Sequence, residues 1–240
     1  MGEPSMIVLR ALSALLGYPR AELREALPEI AGAIRGSPLL RHEDRAGVLG
    51  LVDFLASADP MWCEERYVEL FDRARATSLH LFEHVHGDAR GRGEAMVELK
   101  TIYERAGFRL SANELPDYLP VMLEYLSCRD MAETRAMIGD CAHVLRAIGE
   151  ALLRRGSPYG SVLEALLGIA GEAGLDKKAA SRARIEAEDL DEDWLERPAF
   201  TPEPADPGPA RPLKCARPPS AETARTGSAD DRPANERSAS

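Results

Sequence analysis

The sequence predicts an all-α protein: a single globular multi-helix bundle over residues 1–197, followed by a disordered Pro-rich tail over residues 198–240. Apolar residues recur at steps of three and four, as along one helix face, and no stretch alternates convincingly as a half-buried strand would. Helix start and stop residues punctuate the chain as far as Ala170. Past Arg197 the composition changes. Nine of the 17 prolines fall from Pro198 onward and no aromatic residue follows Phe200, so this segment has too little apolar surface to offset the entropy of ordering.

Met6 to Leu16 opens the bundle, with Ile7, Leu12, Leu15 and Leu16 near one face, Ser5 as its N-cap and Gly17 at the C′ position ahead of Pro19. A second helix runs from Glu43 to Ala56. Asp59-Pro60 starts a third, because Asp accepts the orphan N–H groups and Pro fits the first helical position; it extends to about Asp72. Glu94 to Arg105 follows, closed by Gly107. Asn113 to Leu126 comes next, with Asn113 as cap. There Pro116 costs nothing in the first turn, but Pro120 removes a donor, so the helix bends or starts irregularly. Leu115, Leu119, Met122 and Leu126 form its apolar line, beside Tyr118 and Tyr125. The longest helix spans Met131 to Arg155, closed by Gly156, on the stripe Met137, Cys141, Val144, Leu145, Ile148 and Leu152; Tyr159 to Ala170 is the last. No 20-to-50-residue repeat indicates a solenoid.

Charge and composition narrow the function. With 30 Lys and Arg against 40 Asp and Glu, the 240-residue chain carries a net −10, the wrong sign for a nucleic-acid or anionic-membrane binder and the right one for a basic partner. Six acids and six bases cancel in residues 201–240, while seven acids face two arginines between Arg184 and Arg197, an acidic flank ahead of the tail. Eight of the 13 aromatic residues lie between Trp62 and Tyr125, which places the best-packed region there. Cys63, Cys128, Cys141 and Cys215 form no C-x-x-C pair, so they read as reduced thiols. The N-terminus lacks the features of a secretion signal, and no apolar run approaches the roughly 18 residues a membrane span needs; the expected compartment is the cytoplasm.

Catalytic motifs are scarce. The chain has no Gly-x-Gly-x-x-Gly, no Walker-type loop and no Gly-x-Ser-x-Gly elbow. His80-Leu-Phe-Glu83-His84 fits the H-x-x-E-H pattern of inverted zinc proteases, in which two His one helical turn apart ligate the metal and the Glu activates water. A catalytic zinc also needs a third protein ligand and an open cleft, so a zinc metalloprotease stands as an alternative only.

Several segments, taken together and in order, carry a resemblance: Leu15-Leu-Gly-Tyr-Pro19, Tyr67-Val-Glu-Leu-Phe-Asp72, Ser78 to Asp88, Arg92-Gly-Glu-Ala-Met96, Tyr103 to Gly107, and Glu114-Leu-Pro-Asp-Tyr-Leu-Pro120 with Leu123-Glu-Tyr-Leu126. Over residues 6–170 or so the chain resembles the NarJ/NarW family of respiratory nitrate reductase assembly chaperones, within the wider group of molybdoenzyme chaperones that includes TorD and DmsD. Where the wider group carries Glu-Pro-x-Asp-His, this chain has Glu114-Leu-Pro-Asp-Tyr, so Tyr118 replaces a histidine.

The resemblance implies a TorD-like helical bundle that is not an enzyme and holds neither metal nor cofactor of its own. It implies a cytoplasmic chaperone that binds the apo catalytic (alpha) subunit of nitrate reductase, mainly at its N-terminal segment, until the molybdenum cofactor is inserted, and that is absent from the finished enzyme. A chaperone for a dimethyl sulfoxide or trimethylamine oxide reductase is the other reading within the group, and the His80 to Asp88 run favours nitrate reductase. A client segment that folds on binding needs an apolar groove with charged rims. The expected groove lies between Tyr67, Leu70 and Phe71, the segment holding His80, Phe82 and His84, and the kinked helix with Tyr118, Leu119, Met122 and Tyr125 as apolar contacts and Glu114, Asp117 and Glu124 as rim acids.

Overall fold

The computed structural model describes residues 6–85, 89–111 and 114–179, which all belong to one compact unit. Ser5, His86, Asn113, the acidic flank and the Pro-rich tail lie outside the described residues. The helices are α1 (Ile7–Leu15), α2 (Ala21–Gly36), α3 (His42–Ser57), α4 (Pro60–Tyr67), α5 (Phe82–Val85), α6 (Ala89–Arg105), α7 (Leu119–Leu126), α8 (Met131–Asp140), α9 (Ala142–Arg154) and α10 (Gly160–Ala170). Among the described residues there is no strand; the one β-bridge pairs His80 with Tyr118. No helix among them is long and apolar enough to cross a membrane.

Local chemistry explains where several elements start and stop. The Asp59 side chain accepts the Trp62 N–H at 3.0 Å with Pro60 in the first turn, so α4 starts as its sequence dictates. Gly107 and Gly156 adopt φ of +84° and +62°. Each closes its helix with the paired bonds of a Schellman motif, Phe108 N–H to the Tyr103 carbonyl and Ser157 N–H to the Leu152 carbonyl, both 2.9 Å.

Elsewhere the structure departs from the expectations. Helix α2 is an addition: Pro28 sits inside it and hides the stripe Leu27, Ile30, Ala31 and Ile34 that it buries. Helix α6 begins five residues before Glu94. The expected 60–72 helix changes register after Tyr67 into a π-helical turn, Val68–Asp72, closed by Arg73 N–H on the Val68 carbonyl at 3.0 Å. The expected 113–126 helix is α7 alone. Tyr118 is its N-cap and Pro120 falls in its first turn, where a missing donor is free, so the chain avoids the kink by starting later. The expected 131–155 helix breaks at Cys141, just after Gly139 and Asp140, both poor helix formers.

Helix α10 is the centre of one side of the body, packed against α9, α3 and α8, while α1 packs against α7 and α2. The two sides share one apolar core that runs from Met6 to Leu175. Tyr67, Leu70 and Phe71 belong to that core too, which is what brings the π-helical turn to the residues of interest.

Candidate functional site

The π-helical turn accommodates one extra residue, and its consequence is that Tyr67, Leu70 and Phe71 all face inward. Their rings stack in sequence: Phe71 meets Tyr67 at 4.8 Å between centroids and Tyr159 edge-on at 5.1 Å, while Tyr18 caps Tyr67 at 5.4 Å. The Tyr67 hydroxyl donates to the Leu16 carbonyl at 2.8 Å and lies 3.2 Å from the Tyr118 hydroxyl. Burial pushes the Tyr67 hydroxyl far above the ordinary phenol range, and that of Tyr118 upward as well.

Residues 79–81 run antiparallel to 117–119. The Leu81 N–H donates to the Asp117 carbonyl at 3.0 Å and the Leu119 N–H to the Leu79 carbonyl at 2.9 Å. This short ladder brings the His80 and Tyr118 rings to 5.1 Å. Behind it lies Asp117, a fully buried carboxylate. It accepts the Phe82 N–H at 3.2 Å, at the start of α5, lies 3.4 Å from His80 Nδ1, and is 4.0 Å from Arg92, which also reaches Glu83 at 3.5 Å. Beside it is a cavity of about 480 Å³ lined by Phe71, Asp72, Arg73, Arg75, His80 and Arg92, among others.

The residues named from sequence therefore divide. Tyr67, Leu70, Phe71, Leu119, Met122 and Tyr125 are core side chains, 0–6 % exposed. His80, Phe82, His84 and Tyr118 are half-buried around one junction, and Glu114 and Glu124 are exposed. Asp117 is corrected from rim acid to interior carboxylate: it is fully buried, and a buried carboxylate needs donors, which the Phe82 N–H supplies. Glu124 points away, toward a cavity between α1 and α2 lined by Ile7, Arg10, Glu29 and Ile30, so it is not on the rim of this junction. Glu114 also lies elsewhere, over a cavity of about 790 Å³ with Lys100, Phe108 and Leu115. Tyr125 stacks on Tyr103 at 4.7 Å and its hydroxyl bonds Glu133.

The zinc-protease geometry is not formed by the described residues. His80 precedes α5 rather than sharing its turn with His84, its Nδ1 faces Asp117, and His84 Nε2 lies 2.9 Å from the Ser78 carbonyl. Among the described residues no three His, Cys, Asp or Glu side chains converge as a metal site would need. What the junction offers is a recessed polar pocket backed by an aromatic stack.

Two contributors escaped the sequence reading. Thr77 ties the turn after Phe71 to the Leu70 carbonyl and accepts from Arg155 at 3.0 Å, which fastens the junction to the end of α9. Arg92 supplies the cation beside Asp117. Arg92 stood in the sequence only within a segment that carries the resemblance, and the Thr77–Arg155 and Arg92–Asp117 pairings join residues too distant in the chain for a local pattern to encode.

The model of the family described as "Nitrate reductase delta subunit" matches residues 37–164. "Nitrate reductase molybdenum cofactor assembly chaperone NarJ" of Escherichia coli (strain K12) is 42% identical over 197 residues, 80% of this chain and 83% of that protein. "Probable nitrate reductase molybdenum cofactor assembly chaperone NarW" of the same strain is 34% identical over 196 residues, 80% of this chain and 82% of that one. The Bacillus subtilis (strain 168) protein with the same description but the name NarJ is 32% identical over 161 residues, 67% of this chain and 86% of its own. All of the junction from Tyr67 to Tyr125 lies inside the matched stretch, and the chain belongs to the nitrate reductase delta subunit family, with the NarJ and NarW chaperones among its relatives.

Proposed function

We propose that the chain is a client-specific chaperone of respiratory nitrate reductase. It binds the apo catalytic (alpha) subunit, mainly through that subunit's N-terminal segment, keeps it competent for molybdenum cofactor insertion, and leaves before the enzyme is complete. It acts in the cytoplasm and makes or breaks no bonds. The observation that carries this reading is the 42% identity to a chaperone so named, spread over 80% of the chain. The junction supports it: Tyr118, His80, Phe82 and His84 are partly open to solvent, and a net charge of −10 suits a basic client segment.

Co-purification tests it. Full-length chain co-expressed with the apo catalytic subunit retains it; removal of roughly the first fifteen residues of that subunit, about four helical turns, lowers recovery sharply. The complex weakens as salt rises through the range where the Debye length falls from about 30 Å to about 10 Å. Equal retention of the shortened subunit, or retention of an apo dimethyl sulfoxide reductase subunit in its place, would overturn the assignment.

A further inference from the structure

We infer that the outer face of α4, opposite the core residues named from sequence, is a docking surface for a cationic amphipathic segment of the client; this rests on the chaperone reading above. Met61, Glu64 and Glu65 on α4 recur at helical steps, and Val68 and Glu69 continue that face into the π-helical turn. With Tyr18 and Arg73 they line a shallow cavity of about 340 Å³; Glu69 also pairs with Arg66 at 3.1 Å, so three glutamates meet two arginines there and the face keeps a negative excess.

Apolar exposure is concentrated there. Met61, 70% exposed, and Tyr18, 36%, line this cavity, two of the seven large hydrophobics exposed among the described residues; Trp62, 47% exposed, follows Met61 in the chain but sets its ring edge-on to Phe54 at 5.6 Å. The other four, Ile7, Val85, Val97 and Leu115, lie one each on α1, α5, α6 and the stretch before α7. Scattered apolar residues need no explanation, but a contiguous patch rimmed by charge marks an interaction surface.

Charge complementarity selects the occupant. Glu65 and Glu69 stand one turn apart, the spacing at which a facing helix presents Lys or Arg, while Met61 and Val68 offer apolar contact alongside. The surface is also held in place. The Tyr18 hydroxyl donates to Glu64 at 3.0 Å, its ring packs on Tyr67, and Tyr67 meets Tyr118, so the face is continuous with the junction behind it.

The test uses full-length protein and a fluorescent synthetic peptide copying roughly the first fifteen residues, about four helical turns, of the nitrate reductase catalytic subunit from the same source. Glu65→Gln with Glu69→Gln weakens binding about tenfold at low salt, and Met61→Ala about fivefold. Glu22→Gln with Glu25→Gln, which removes the same charge from exposed positions on α2, changes it less than about twofold. A peptide whose Lys and Arg are replaced by Gln no longer distinguishes wild type from the Glu65/Glu69 pair. Tight peptide binding by wild type that neither the pair nor Met61→Ala disturbs overturns this surface and leaves the client reading intact. Failure of wild type to bind the peptide overturns both. Self-association of the wild type that Met61→Ala abolishes, with peptide affinity unchanged, assigns the face to a second copy of the chain and likewise overturns the proposal.

Discussion

Around α9 and α10 the interior is aliphatic: Leu145, Ile148, Leu152, Val162, Leu163, Leu166 and Leu167 are all fully buried. At the junction of the π-helical turn, the 79–81 ladder and the start of α7, the interior instead holds phenol hydroxyls, Thr77 and the Asp117 carboxylate, each bonded to a named backbone atom or side chain. The first region is held by volume, to which many side chains contribute a little. The second depends on single atoms, because a buried polar group that loses its partner costs about 1–3 kcal/mol by itself. Different perturbations should therefore find each one.

Alkaline pH gives the largest effect, through Tyr67 and Tyr103 at the junction and through Tyr159 and Cys141 beside the aliphatic region. Burial raises the hydroxyls of Tyr67, Tyr103 and Tyr159 well above the phenol range and pushes the Cys141 thiol up to about 12. In the unfolded chain these groups ionise first, from about pH 8.5 for the thiol and about pH 10 for the phenols. Over that interval the native state binds more protons than the unfolded one, so stability falls as pH rises and is fully present below about pH 8. Each group contributes about 1.4 kcal/mol per pH unit, and several together lose several kcal/mol. Urea midpoints between pH 8 and pH 11 measure it. Tyr103→Phe should flatten the slope, and a midpoint independent of pH would show that these groups are not sequestered.

Truncation in the aliphatic region comes next. Leu163→Ala removes a fully buried side chain where α9 and α10 approach closely at Gly149, and should cost about 3 kcal/mol in a urea titration at neutral pH. The loss should leave the pH slope unchanged, since no titrating group is touched. A coupled change in slope would mean that the two regions are not separable.

The same division explains what could be read from the sequence. The stripe from Met137 to Leu152 was legible because volume follows a period, and it survives even though the helix breaks at Cys141. Asp59-Pro60 and Gly156 were legible because caps act within a turn of themselves. The junction was only half legible. Its aromatic residues stood out, but Asp117 serves a backbone N–H 35 positions away and Thr77 an arginine 78 positions away, and no local pattern encodes such pairings. Helix α2 was obscured for a different reason, since a proline inside an apolar stripe is a strong stop signal that tertiary packing here outweighs.

Asp117→Ala isolates the junction. It removes the carboxylate that accepts the Phe82 N–H, that faces His80 and that is one of two acids beside Arg92; the His80 and Arg92 side chains are about one-third exposed and regain water. A cost of about 2–3 kcal/mol follows, less than for a fully buried ion pair, with early loss of amide protection at the start of α5. A cost below about 0.5 kcal/mol would place the carboxylate's role outside stability.

The sharpest contrast lies within one ring stack. Tyr67 and Tyr159 both pack on Phe71, at 4.8 Å and 5.1 Å, and are 4% and 3% exposed. The Tyr67 hydroxyl donates to the Leu16 carbonyl and meets Tyr118, whereas the Tyr159 hydroxyl has no partner among the described residues. Tyr67→Phe should therefore cost about 1–3 kcal/mol by stranding a buried carbonyl, while Tyr159→Phe should be neutral or stabilise by up to about 1 kcal/mol by removing a donor that pairs with nothing. Both changes delete one oxygen from neighbouring rings, so packing is nearly constant and the difference reports bonding alone. Equal destabilisation by the two would mean that Tyr159 holds an ordered water, and a sealed, hydrated pocket would then belong to the polar side of the comparison rather than the aliphatic one.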